Sequence, residues 1–181
     1  VRTIKILAID QARHGGWAIF DYKNKTLCDY GAFCYSTSGS TFPQETVLIE
    51  NFIEEKIVSD GISAVFIEDI HMSKNVNTFK NLARLQGVLI NLFEKNNYLY
   101  GIITPSQWQS FCKAKGRTSK EIKSKVLSSD ASEKKFNKRR TKIMSIEYVK
   151  SKFKVDTLDD NIADAICIGD YVVNNIPIIS E

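Results

Sequence analysis

The chain has 181 residues, with 25 Lys/Arg against 21 Asp/Glu, a net charge of +4, and 43% apolar and 25% charged residues. These values fit one globular domain, residues 1–181, with a sizeable core, and argue against two full domains. No apolar run approaches the roughly 18–20 residues of a membrane span, and the chain enters directly into a strand, so neither a membrane anchor nor a signal peptide is expected. Cys28, Cys34, Cys112 and Cys167 show no C-x-x-C or His spacing, which argues against zinc and reads as reduced thiols in a cytoplasmic protein.

Ile4–Asp10 and Gly15–Phe20 predict two strands joined by a Gly-containing turn, and Thr26–Tyr35 predicts a third, giving an antiparallel meander. A turn-rich loop over 36–43 leads into a helix from Gln44 to Asp60-Gly61, with Val47, Leu48, Phe52, Ile53 and Ile57 on one face. Ala64–Glu68 is short and apolar enough for a central strand covered on both sides. A polar loop over 71–78 precedes a helix over Phe79–Lys95, whose stripe includes Leu82, Leu85, Gln86, Leu89, Leu92 and Phe93. Core packing explains that stripe, and Ala83 and Gly87 also suit a subunit contact. Tyr98–Ile103 predicts another strand. Thr104 and Pro105 then open a short helix over Ser106–Cys112.

Twelve Lys/Arg lie between Lys113 and Lys142 against only Glu121, Asp130 and Glu133. That excess suggests a polyanionic partner, the alternative being a solvated charged face. Ser119 suits a cap for a helix over Lys120–Leu127. Ser128–Arg140 is poor in apolar residues and reads as a loop, part of a basic insertion over about 128–142. Helical spacing returns at Ile143–Phe153, and a last helix starts in Asp159-Asp160-Asn161 and runs through Tyr171. The sum is an α/β fold. Its sheet is mixed and five-stranded, an antiparallel three-strand meander plus parallel strands, flanked by helices.

Asp10 interrupts a β-branched, apolar run, where a bare carboxylate costs several kcal/mol unless it is paired or holds a metal, roughly. Glu68 ends the central strand as Asp10 ends the first, and ligands of open α/β sheets gather outside such carboxyl ends. Asp160 and Asp164, four apart, share a helical face. Helix capping accounts for the first of them but not for Asp164. A site rich in carboxylates and poor in His and Cys selects Mg²⁺, with Mn²⁺ as substitute, and two such ions suit an in-line phosphoryl displacement. Together with the basic flank, these acids point to a nuclease.

Ile6–Asp10 with Gly16-Trp17-Ala18, Phe66–Glu68 with Met72–Asn75 and Ala83–Val88, Thr104–Gln107 with Gly116 and Lys120, and Ala163–Ile166 occur in order along the chain. Together they resemble RuvC-type Holliday junction resolvases of the RNase H-like superfamily, and look closest to the bacteriophage-encoded branch. The resemblance implies an RNase H-like fold and a homodimer that resolves four-way and branched DNA by paired, symmetric incisions. It implies Asp10, Glu68 and Asp164 as ligands of paired metal ions, Lys120 near the scissile phosphate, and the cytoplasm of a phage host as location. Where the family has an Asp three residues before the last acid, this chain has Asn161. Either Asp160 or the Asn161 carbonyl then supplies the fourth ligand. Lys74, Lys113, Lys115, Arg117, Lys120, Lys134, Lys135, Arg139 and Arg140 are the expected DNA contacts. Neither a membrane nor a small-molecule cofactor is expected. Ile70, His71 and Met72 stand where the family inserts a residue at the junction centre, although an exposed loop position is as good a reading of His71, and His14 reads best as a solvent-facing turn residue.

Two other readings remain open on the sequence. One is an RNase H-like nuclease acting on another nucleic acid, such as an RNA–DNA hybrid. The other is a junction-binding protein with weakened catalysis, for which Asn161 is the best support. An actin-like ATP-binding protein would need a second lobe and phosphate loops that the chain lacks.

Overall fold

The computed structural model describes residues 3–71, 75–114 and 133–178, the side chains of 133–141 excepted. Five strands form one sheet: β1 (Lys5–Asp10), β2 (His14–Asp21), β3 (Thr26–Cys34), β4 (Ala64–Glu68) and β5 (Leu99–Ile103). Their order is β3-β2-β1-β4-β5. β1–β2 and β2–β3 pair antiparallel, whereas β1–β4 and β4–β5 pair parallel. The mixed five-stranded sheet expected from the sequence is therefore present.

Strand alternation divides the core into two layers. Ile6, Ala8, Ala18, Phe20, Ala64 and Phe66 face one side, and Leu7, Ile9, Ile19, Val65 and Ile67 face the other. The second side is covered by α1 (Phe42–Ser59) and α2 (Val76–Lys95). The first is covered by α3 (Pro105–Phe111), α4 (Glu133–Phe153) and α5 (Asp160–Asn175). Burying each Leu, Ile or Phe of these layers contributes about 1.5–3 kcal/mol. Among the described residues no helix is long and apolar enough to cross a membrane.

Helix starts follow local chemistry. Asn75 accepts hydrogen bonds from the Asn77 and Thr78 amides at the head of α2. The Gln107 side chain accepts from the Thr104 amide at 2.9 Å, with Pro105 in the first turn of α3. Asp159 accepts from the Asn161 amide at 2.9 Å at the head of α5.

Three expectations need correction. Gly15 and Gly16 lie inside β2, and the turn is Gln11–Arg13 instead. Val47 and Leu48 are exposed, because α1 turns Glu45, Thr46, Ile49, Ile53 and Ile57 inward. Glu45 is tolerated there because it pairs with the Arg13 guanidinium and accepts from Ser40, which holds its carboxyl down at about 2. Finally, the basic insertion expected as a loop over 128–142 is helical from Glu133 onward. Its Glu, Lys and Arg are good helix formers even without an apolar stripe. The expected helix over 120–127 lies outside the described residues.

Candidate active site

Parallel pairing of Ile9 with Ile67 carries Asp10 and Glu68 side by side to the carboxyl ends of β1 and β4. Period-2 alternation turns both toward the layer that contains Ala8 and Phe66, the face on which α5 packs. There α5 brings Asp160 and Asp164, one helical turn apart. Gly16, the β2 partner of Asp10, is what lets the head of α5 approach. A Cβ on Gly16 would lie 2.3 Å from the Asn161 carbonyl carbon.

The four acids share one electrostatic neighbourhood. Burial pushes Asp10 well above the ordinary carboxylate range, and the charges of Glu68, Asp164 and Asp160 add to it. Burial also raises Glu68, against hydrogen bonds from Trp108 and Asp10 that pull it down. Side by side, the two carboxyls disfavour a second negative charge, most strongly at Asp10. Asp164 is pushed up to about 7 by burial; a Ser145 hydrogen bond and Lys142 oppose this, while Glu68 and Asp160 reinforce it.

Several partners of these acids carried no signal in the sequence beyond ordinary polarity or core packing. The Trp108 indole N–H donates to Glu68 Oε1 at 2.7 Å. Gln11 Nε2 donates to the Glu68 backbone carbonyl at 2.8 Å, while its own Oε1 is buried without a hydrogen-bond partner. Lys142 on α4 forms an ion pair with Asp160. Asn161 donates its side-chain amide to Asp159 Oδ1 at 3.0 Å, so that group is occupied at the helix cap. Of the two candidates for a fourth ligand, Asp160 is the one whose charge reaches Asp10 and Asp164.

The donor set suits a hard cation. It consists of carboxylate oxygens, burial and the neighbouring acids raise Asp10 and Asp164 above the ordinary carboxylate range, and Asp164 Oδ1 is buried without a hydrogen-bond partner. Among the described residues no three His, Cys, Asp or Glu side chains already close into a coordination cluster. Asp160 is meanwhile neutralised by Lys142.

The remaining sequence candidates fall elsewhere. Lys113 is exposed just beyond α3. Lys134, Lys135, Arg139 and Arg140 lie on the helical backbone of α4, and their side chains are outside the described residues. Lys74, Lys115, Arg117, Lys120 and Met72 are also outside them. His14 and His71 are both exposed.

No protein-family model matches the chain, and no curated protein sequence matches it. Solved structures match it in shape. Thermus thermophilus RuvC in complex with Holliday junction substrate aligns with 93% of this chain and 91% of its own, at TM-score 0.63 and 12% identity. Fowlpox virus resolvase in complex with substrate Holliday junction DNA aligns over 96% and 99%, at TM-score 0.58 and 14% identity. The yeast mitochondrial Holliday junction resolvase aligns over 94% and 78%, at TM-score 0.57 and 12% identity. At such identities the likeness is one of fold: this chain has the architecture of the RuvC-type, RNase H-like proteins.

Proposed function

We propose that this chain is a divalent-cation-dependent endonuclease that resolves four-way and branched DNA junctions as a homodimer by paired, symmetric incisions. The observation that carries the reading is the meeting of Asp10, Glu68 and Asp164 at one rim of the sheet, with a buried Asp164 oxygen left without a hydrogen-bond partner. The fold it shares with junction-bound resolvases supports the substrate class.

Asp10, Glu68 and Asp164 would hold the cation, with Asp160 as the fourth acid. When bound, a Mg²⁺ or Mn²⁺ pair supplies Lewis-acid stabilisation of charge at the scissile phosphate and lowers the pKa of attacking water. The chain's own part is to keep these oxygens fixed and largely dry. Burial of Asp10 and Asp164 makes each charge interact strongly with a cation placed between them. Lys120, close to the phosphate by family resemblance, and the basic stretch through Arg140 would neutralise the DNA backbone. Selectivity for junctions cannot reside in the acids, since any phosphodiester would satisfy them. It would come from the spacing of two sites in a dimer, for which exposed Gly87 on α2 leaves open room.

The test is a labelled four-way junction incubated with Mg²⁺ or Mn²⁺, scored for binding and for incision, alongside size analysis of the free protein. Paired nicks by a dimer support the proposal. Equal cutting of RNA–DNA hybrids would assign another nuclease specificity. Tight junction binding without incision in either metal would favour a binding protein, the reading suggested by Asn161 at the cap and by Lys142 on Asp160.

A further inference from the structure

Glu68 is gripped by a residue that no part of the nuclease reading requires. Trp108 is 1% exposed, and its indole N–H reaches Glu68 Oε1 at 2.7 Å. The ring cannot drift. It sits in the layer of Phe66, Ile103, Cys112 and Ala114. Its helix is tied to α5 by Gln107 Nε2 donating to the Tyr171 hydroxyl at 3.2 Å and by Phe111 set edge-on to Tyr171 at 5.8 Å.

The choice of donor matters. A Lys or Arg here would satisfy Oε1 but would place a competing positive charge against the acids, as Lys142 does on Asp160. An indole N–H is neutral and donates only. It therefore holds the carboxylate in one orientation without adding a positive charge beside it. It also engages one of the two oxygens, which disfavours the two-oxygen grip that large, flexible calcium sites use and suits the one-oxygen ligation typical of magnesium.

We propose that Trp108 is a positioning residue that fixes Glu68 to offer a single oxygen, Oε2, to a small divalent cation, and so biases the site toward Mg²⁺ over Ca²⁺. The inference rests on the nuclease reading of the acids.

The chain contains two tryptophans, and Trp17 packs in the opposite layer of the core, so wild-type protein labelled with ¹⁵N provides a direct test. Its two indole N–H signals are assigned with Trp17→Phe. The Trp108 signal is expected downfield and slow to exchange, and Mg²⁺ should move it along the same saturation curve that calorimetry gives. Trp108→Phe keeps an aromatic ring and removes the N–H together with the pyrrole half of the indole. It should weaken Mg²⁺ binding by about 10–100-fold, in the range for partners that orient metal ligands. It should weaken Ca²⁺ binding less, and lower kcat while leaving KM for the junction within about twofold.

Should that variant fail to fold, the wild-type titration decides alone. Cation uptake with an unmoved Trp108 signal, or an unchanged Mg²⁺ to Ca²⁺ ratio in a folded Trp108→Phe protein, overturns this inference and leaves the nuclease reading standing. Wild-type protein that takes up neither Mg²⁺ nor Mn²⁺ overturns both.

Discussion

Gly16 lies directly beneath the backbone of Asn161: a Cβ built at this glycine would stand 1.9 Å from the Asn161 carbonyl oxygen and 2.9 Å from the Ile162 nitrogen. Backbone at that distance cannot yield as the tip of a flexible side chain can. Gly16→Ala should therefore lift the head of α5, and Asp160 and Asp164 with it, away from Asp10. The expected cost is about 1–3 kcal/mol of stability from overpacking. Incision should fall at least tenfold, because small misplacements near reacting groups are costly in rate. Denaturant midpoints and junction cleavage measure the two effects, and a variant with wild-type cutting would dissociate α5 from the site.

Glu68→Gln keeps the size of the side chain and an oxygen able to accept from Trp108, but removes the charge. Junction affinity by gel shift should stay within about twofold. Incision should drop by more than the roughly 10–100-fold typical of residues that only orient metal ligands. Retained cutting would remove Glu68 from the chemistry.

Asp10 and Asp164 make stability depend on pH in a direction opposite to that of a salt-bridged acid. Both are raised in the folded protein, Asp164 from an ordinary 3.8 to about 7. Between those values the native state holds protons that the unfolded chain releases. For Asp164 stability should therefore fall as pH rises from about 4 through about 7, by roughly 1.4 kcal/mol per pH unit, and Asp10 acts in the same direction. Mg²⁺ at about 100 times its Kd should restore about 2.7 kcal/mol at pH 8. Thermal melts in EDTA and in Mg²⁺ at pH 5 and pH 8 give the answer. Protein in EDTA that is more stable at pH 8 than at pH 5 would contradict the assignment.

Neutralising Lys134, Lys135, Arg139 and Arg140 together should flatten the salt dependence of junction binding. The slope of log K against log salt should shrink by about 0.9 for each of the four that touches a phosphate. An unchanged slope would take this part of α4 out of the DNA contact.

How much of this was legible in the sequence depended on whether a residue's role was local. Asp10 and Glu68 stood out because each ends an apolar strand, and a charge there violates the local pattern. Asp164 stood out because capping cannot explain it. The partners of these acids were not legible. Trp108 reads as one more core aromatic, and Ser145 and Lys142 as ordinary polar positions on a helix. Their meaning comes only from packing across 40 residues between Trp108 and Glu68 and 18 between Lys142 and Asp160. On α1, Val47 and Leu48 drew the apolar face one way, yet the helix turned Glu45 inward because Arg13, from a distant turn, was there to meet it. The first part of α4 was missed because apolar periodicity cannot mark a helix that has almost no apolar residues. Gly15-Gly16 suggested a turn, whereas the requirement at Gly16 is for a close helix.

The order of the acids along the chain has a consequence for biosynthesis. Asp10 and Glu68 belong to strands that pair early in the sequence, but Asp160 and Asp164 come from α5, the last helix of the fold. At ribosomal speeds of about 5–20 residues per second, roughly 5 to 20 s separate translation of Glu68 from that of Asp160. Throughout that interval the nascent polypeptide holds only half of its acids. On the nuclease reading proposed above, a truncated product that ends before α5 would lack two of the four acids of the site.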